Sequence, residues 1–544
     1  MHSTRAFDPA ASRWSGLGAF AIAFGGALAL SLPTVLAGPK LYPDAIEYLG
    51  IAWNWSQGAG LVDPVLYSYY LPGVAPPVPA LVMRAPLLPM LLALPFALGA
   101  DLHAVLLVHA LFAALAGALG VFVARQLGGA GAAWAYAIGF CLCFPWIFAT
   151  WAPLTEALSI GLLLALAALA DRAWHSPRAA AAFALLCVVS WLARPNLAVA
   201  VPALAVTGLL TLGPHRALRS APLWIAVLGF FAMQQGISVA HRAVTGFPPY
   251  AHYGVLLETT SAGEAGLYQK EFVGWTAWLV AHFGQVRAAL AWNAREVLRL
   301  LFVLPDYHFV GWLLVPALVD AWRRRDARRP LRIFLATTGL ALLAVVAISW
   351  GAIDPRRLLL PAGLCFWLLA ASWLAHLARR IPDARLATAA PALVVGAAWL
   401  LSPSAAGTSR VARQALSTYR SVGAQGGLEQ GFAPALCARM DRDAIVASPD
   451  PWDVYLVCGN AGWVLPRDLD SPAWIARYLA ERPVGYLIVP LAAAPRFEAS
   501  PRLERLATER GHVLFGVRDP VPASRPWRAP LPPSARQLGA GPGM

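Results

Sequence analysis

The 544-residue chain is 59% hydrophobic and only 13% charged, with a mean hydropathy of +0.59. That composition excludes a soluble globular enzyme, a disordered chain and a fibre, and the long apolar runs make the bilayer the solvent for most of it. The net charge is +14, but only Lys40 and Lys270 are lysines among 42 basic residues; we read the arginine excess as codon bias, since nucleic-acid binding needs arginines interleaved with polar and aromatic residues on one soluble face.

The first apolar run, 16–37, ends in Val35-Leu36-Ala37, which is similar to a signal cleavage site. Its apolar stretch is longer than the roughly 7–15 residues of a cleaved signal, which favours a retained anchor. A long loop, 38–102, follows and opens with Tyr42-Pro43-Asp44-Ala45-Ile46-Glu47-Tyr48-Leu49. If this stretch is helical, Asp44 and Glu47 share one face. The loop continues through Trp53, Trp55, Tyr67, Tyr69 and Tyr70 to Met83-Arg84-Ala85-Pro86-Leu87-Leu88-Pro89. Any single Trp there reads equally as an interfacial anchor. Asp44 taken alone reads first as a solvated carboxylate after the span, since most charged groups in loops have no catalytic task.

Further runs occupy 103–123, 130–150, 154–170, 179–191, 197–212 and 221–240, then 309–321, 333–350, 358–377 and 387–401. Each approaches the roughly 20 residues needed to cross a bilayer, so about eleven spans are expected. Arginine placement orients them. Arg5 and Arg13, Arg125, Arg172 with Arg178, Arg216 with Arg219, the cluster Arg323 to Arg332, and Arg379 to Arg385 fall on one side. That side reads as cytoplasmic, with the N-terminus, in an inner (plasma) membrane. The long segments 38–102, 242–308 and 402–544 then lie outside. The expected architecture is a polytopic α-helical membrane protein with a small C-terminal α/β extracytoplasmic domain. Its expected divisions are a transmembrane domain, 1–403, an α/β domain, 404–519, and a disordered Pro- and Gly-rich tail, 520–544.

Within the tail, 444–448, 463–465, 485–490 and 512–517 read as strands, and 471–481 and 501–510 as helices, with Ser471 as a cap. Cys437 and Cys458 are its two cysteines. In an oxidising compartment they form a bridge, or else they are two unrelated buried thiols. Cys141, Cys143, Cys187 and Cys365 lie inside runs and read as packing residues. His109, in mid-span with no second ligand at i+4, reads as a packing histidine.

Ionisable residues recur at the outer ends of runs: Glu156 after Pro153-Leu154-Thr155, Arg194 before Pro195-Asn196, and Asp354-Pro355-Arg356-Arg357. Such groups near a membrane are costly and often functional. Their convergence with Asp44, Glu47 and Arg84 on one side points to an active site there.

These motifs carry a resemblance. Pro43-Asp44-Ala45-Ile46-Glu47-Tyr48-Leu49 with Arg84-Ala85-Pro86-Leu87-Leu88-Pro89 resembles the first loop of the GT-C membrane glycosyltransferases. Leu154-Thr155-Glu156-Ala157-Leu158 and Ala193-Arg194-Pro195-Asn196 are similar to later motifs of the same family. Arg356-Arg357-Leu358-Leu359-Leu360-Pro361 resembles its late arginine-leucine-proline motif. The branch is the polyprenyl-phosphate-sugar-dependent one, of the protein mannosyltransferase and lipid A aminoarabinose transferase type. Ala85 and the Pro- and Tyr-rich insertion before Arg84 depart from the family pattern. The resemblance implies inverting transfer of a sugar from a polyprenyl-phosphate donor, among membrane lipids, to a glycolipid, polysaccharide or protein hydroxyl. It implies Asp44 as base, Glu47 orienting either the acceptor or Asp44, Arg356 or Arg357 at the phosphate together with Arg84, Glu156 holding a sugar hydroxyl or an arginine, and Arg194 as a further binding residue. Metal-dependent relatives show clustered carboxylates such as Asp-X-Asp; the first loop has Asp44, Glu47 and the distant Asp63 with no such motif, so no divalent metal and no other cofactor is expected. Two other classes stay open: a multi-span lipid or solute transporter, and a non-catalytic membrane scaffold.

Overall fold

The computed structural model describes all residues except 1–8, 37–40, 42, 68–74, 251–279, 281–282, 303–307, 350–354, 402–433, 466–471 and 523–544. Tyr69, Tyr70, Asp354, the Ser471 cap and nearly all of the expected disordered tail therefore lie outside the described residues. The chain folds as two compact units. One comprises Met1–Ala37, Leu106–Ile237 and Leu290–Gly423, and the other Gly38–Val105, Ser238–Ala289 and Ala424–Met544.

The first unit is a helical bundle, and every apolar run read from the sequence is helical. Among the described residues seven helices are long and apolar enough to cross a membrane. They are Gly16–Leu36, Leu102–Gly128, Pro195–Leu212, Ala221–Thr245, Arg329–Ala347, Leu360–Ala378 and Ala384–Leu401. An eighth is the pair Ala130–Cys141 and Pro145–Trp151, bent by 70° where Cys143 is extended and Pro145 restarts the helix. The remaining runs are helical but shorter or more charged. Pro177–Ala193 and His308–Arg323 have 17 and 16 residues, and Thr155–Ala173 carries Glu156, Asp171 and Arg172. The first run is no loose leader: Ala19 and Ala27 are buried, and Phe20 packs 5.7 Å from Phe122.

Small residues bring these helices together, as expected where lipid gives no hydrophobic drive to associate. A Cβ on Gly139 would overlap the Trp367 ring, whose Nε1 donates to the Tyr136 carbonyl at 3.3 Å. Tyr136 in turn donates its hydroxyl to Gly117 O at 2.8 Å. His109 is buried, with Nε2 3.2 Å from Ala149 O, as a packing histidine should be. The arginine cluster is more ordered than a solvated loop. Arg332 is fully buried, pairs with Asp326 at 2.9 Å and donates to Arg324 O, and Arg324 donates to Ser372 Oγ at 3.0 Å.

The second unit is built on a six-stranded sheet. Its strands are β2 (Val65–Tyr67), β4 (Val446–Ser448), β5 (Gly462–Val464), β6 (Tyr486–Pro490), β7 (Leu503–Glu509) and β8 (His512–Val517). The order is β2-β5-β4-β6-β8-β7, parallel from β2 to β6 and antiparallel beyond. Parallel neighbours need crossovers, and the helices Pro451–Cys458 and Pro472–Glu481 supply them. Side chains alternate between the faces. Ala447, Leu487, Val489, Val513 and Phe515 pack with Ile475 and Leu479, whereas Val446, Ile488 and Leu514 pack with Leu436 and Val454.

Two findings differ from the sequence reading of the tail. The sheet takes β2 from the first long loop, with Leu66 opposite Trp463. The expected helix over 501–510 is instead strand β7. Arg510 and Gly511 both have positive φ, +44° and +81°, and close a two-residue hairpin to β8. That turn chemistry outweighs the helix-forming residues before it. The Cys437–Cys458 bridge is formed.

Candidate active site

The second unit assembles one charged cluster from the first long loop. Pro43 starts the helix Pro43–Ser56, a favoured first-turn position for proline, and Asp44 sits in the first turn, where the helix dipole favours a negative charge. The chain then forms β1 (Val62–Asp63), which pairs antiparallel with β3 (Val78–Pro79). That ladder returns the chain to the short helix Ala80–Met83, and Arg84 leaves it in extended conformation. Arg84 Nη2 lies 3.0 Å from Asp44 Oδ1, and its Nε pairs with Glu47 Oε2. The i, i+3 spacing therefore delivers both carboxylates to one guanidinium, which also lies over the Tyr48 ring.

The two carboxylates differ in access. The Asp44 side chain is 23% exposed, and that of Glu47 only 2%. Glu47 Oε1 accepts from Trp452 Nε1 at 2.5 Å, so both of its oxygens are engaged. One turn along, Tyr455 donates to Asn54 Oδ1 at 3.2 Å. Asp63 is fully buried; Oδ1 accepts from Val65 N at 3.1 Å, and Oδ2 has no partner among the described residues. Burial raises the Glu47 pKa from its ordinary value, against the opposing pull of Arg84. Burial and then the Glu47 charge push the Asp63 carboxyl well above its ordinary value, so Asp63 holds its proton more firmly than a solvated carboxyl. For Arg84 burial works the other way, but Glu47 and Asp44 outweigh it and keep the guanidinium charged.

The first unit holds a second cluster. Glu156 lies in the first turn of Thr155–Ala173. Arg194 is extended (φ −162°, ψ 112°), as a residue before proline prefers to be. Arg357 lies in the turn Pro355–Leu358. Glu156 Oε1 is 3.2 Å from Arg194 Nη1 and 3.0 Å from Arg357 Nε, while Oε2 has no partner among the described residues. Two guanidiniums thus meet one oxygen of a buried carboxylate, and guanidiniums are groups that bind phosphate well. The Arg356 side chain lies outside the described residues.

The sequence-derived residues thus fall into two sets, Asp44, Glu47 and Arg84 in one unit and Glu156, Arg194 and Arg357 in the other. Sequence reasoning missed Trp452 and Tyr455 as partners of the first set and set Asp63 aside as distant. The one available signal was aromatic residues opening a tail helix after Pro449-Asp450-Pro451. Among the described residues no group of three His, Cys, Asp or Glu side chains is arranged to hold a metal ion.

No protein-family model matches the sequence, and a search of curated proteins finds no match. Solved structures do match. ArnT from Cupriavidus metallidurans bound to undecaprenyl phosphate aligns with a TM-score of 0.50 at 14% identity, over 95% of this chain and 100% of that one. The Archaeoglobus fulgidus oligosaccharyltransferase, tethered to an acceptor peptide containing the NVT sequon, aligns with a TM-score of 0.50 at 11% identity, over 88% of this chain and 69% of that one. The chain has the GT-C fold. The helical part and the α/β part are both present, as expected from the apolar runs and from the strand and helix pattern of the tail.

Proposed function

We propose that the chain is a glycosyltransferase that moves a sugar from a polyprenyl-phosphate-linked donor to an acceptor hydroxyl, on the extracytoplasmic face of the membrane. The observation that carries this is the Asp44–Arg84–Glu47 triad, in which a partly exposed carboxylate is held by a cation that a buried carboxylate fixes. A hydroxyl attacking an anomeric carbon must lose its proton, and a positioned carboxylate accepts it. Asp44 is the base; Glu47, with no surface to offer a substrate, orients Arg84 and through it Asp44. A departing lipid phosphate needs positive charge; in the helical unit, considered by itself, Arg194 and Arg357, both held by Glu156, are groups suited to bind a phosphate, with Arg356 next to Arg357 in sequence. Attack opposite the phosphate inverts the anomeric centre.

The fold neighbours support this reading: one is bound to undecaprenyl phosphate, and another carries an acceptor peptide. The acceptor is a glycolipid, polysaccharide or protein hydroxyl. The reaction needs no divalent metal, because Arg84 already supplies a cation between the two carboxylates. A transporter reading accounts less well for a triad in which a buried carboxylate fixes a cation that holds a second, more exposed carboxylate.

The test is transfer from a polyprenyl-phosphate sugar by purified protein in nanodiscs, with and without EDTA, and with the product anomer read by NMR. Asp44→Asn keeps the shape and removes the basicity. Turnover should fall by about 10²–10⁴-fold, with donor affinity little changed. Near-normal turnover in a folded Asp44→Asn protein, or loss of activity in EDTA that Mn²⁺ restores, would overturn the mechanism.

A further inference from the structure

The tail helix Pro451–Cys458 touches the loop helix Pro43–Ser56 at two matched points. Trp452 donates to Glu47, 405 residues away in sequence, and Tyr455 donates to Asn54. Trp452 and Tyr455 are one turn apart on one helix, and Glu47 and Asn54 two turns apart on the other, so each pair lies along one face. Gly50 stands between the two points, and a Cβ there would lie 2.6 Å from Tyr455 Cε1. All four side chains are buried. Such a built contact, made by hydrogen bonds and a glycine-permitted close approach, exceeds what fastening a domain requires.

We infer that Trp452 is a positioning residue of the proposed transfer: its indole N–H fixes Glu47, which fixes Arg84 and so aims Asp44. The inference rests on the glycosyl-transfer reading. Indole is a donor only and does not titrate, so it favours the ionised form of the carboxylate it meets. The groups that act on Glu47 are Asp44 on its own helix, Arg84 after Ala80–Met83, Asp63 on β1 and Trp452. Arg84 and Trp452 favour the charged form and Asp44 opposes it, while Asp63, whose own carboxyl is pushed well above its ordinary value, adds no opposing charge of its own. Removing the indole N–H therefore moves the Glu47 titration upward and loosens its hold on Arg84.

The experiment measures the pH–rate profile of the full-length chain in nanodiscs, with a polyprenyl-phosphate sugar as the probe. Trp452→Phe keeps an aromatic ring and loses the donor. Turnover should fall about tenfold while KM for the donor stays within about twofold. The acid limb should move to higher pH, an effect that loosened packing alone would not produce. Gly50→Ala, which pushes Tyr455 off the loop helix, should move the limb in the same direction. Trp474→Phe, on the helix Pro472–Glu481 against the opposite sheet face, should leave it in place. A folded Trp452→Phe protein with an unmoved acid limb and turnover within about twofold of wild type overturns the inference alone. A wild-type chain that transfers no sugar overturns the functional reading, and this inference with it.

Discussion

Arg84→Lys probes the triad directly, because it keeps the charge and changes only the geometry. Arg84 meets its two carboxylates with different nitrogens, Nη2 to Asp44 at 3.0 Å and Nε to Glu47. A lysine presents one ammonium on a flexible stem and lacks the rigid fork that spans both. One of the two contacts is therefore lost. A hydrogen bond to a charged group is worth about 1.5–3 kcal/mol net. The Arg84 and Asp44 side chains are 17% and 23% exposed, so water screens part of this and the lower bound applies. About 1.4 kcal/mol is a factor of ten, so turnover should fall roughly tenfold through misplacement of Asp44. Arg84→Ala should cost more, because it leaves Glu47 buried without a cation. Glu47 escapes that penalty by taking a proton, so the acid limb of the rate profile moves to higher pH. The assay is steady-state transfer from about pH 3.5 to about pH 9, a range that takes in the ordinary carboxylate titrations and those raised above them, with thermal unfolding run in parallel. If folded Arg84→Lys and Arg84→Ala both keep wild-type turnover and an unshifted limb, the triad takes no part in the chemistry.

Three further outcomes follow from the geometry. Arg357→Ala removes one of the two guanidiniums on Glu156; KM for the lipid-linked donor should rise about tenfold or more, since a charged hydrogen bond is at stake, and direct binding of undecaprenyl phosphate should weaken in step. Cys437→Ser with Cys458→Ser opens a loop of sequence separation 21 and should cost the α/β unit about 3 kcal/mol; unchanged unfolding under reductant would count against the bridge. Asp63 holds its proton when folded but ionises at about pH 3.9 when unfolded. The stability it contributes is full below that pH and drains away as pH rises toward the folded titration. Asp63→Asn, always neutral, should therefore stabilise the unit more at pH 8 than at pH 4 in denaturant melts (both about one side of the window or the other).

Much of the candidate site was legible because its signals are local. Asp44 and Glu47 share a helix face by spacing alone, Pro43 marks where that helix starts, and Arg194 is held extended by Pro195. The bilayer as solvent and the helicity of every apolar run also follow from composition and short-range pattern, since a backbone in lipid must satisfy its own hydrogen bonds. What the sequence by itself determined was thus that the apolar runs are helical and which charged residues stand at their ends; in the tail it took the strand 503–509 for a helix. Only the tertiary structure decided which of two neighbouring carboxylates is buried and which meets solvent. It alone decided that Asp63 is enclosed beside them, and that a strand of the first loop completes a sheet begun 380 or more residues later, as Val65 opposite Gly462 shows. It also decided that Trp452 is the partner of Glu47. Burial and ion pairing depend on groups brought together across the chain, and no local pattern near residue 47 carries information about a ring 405 positions away.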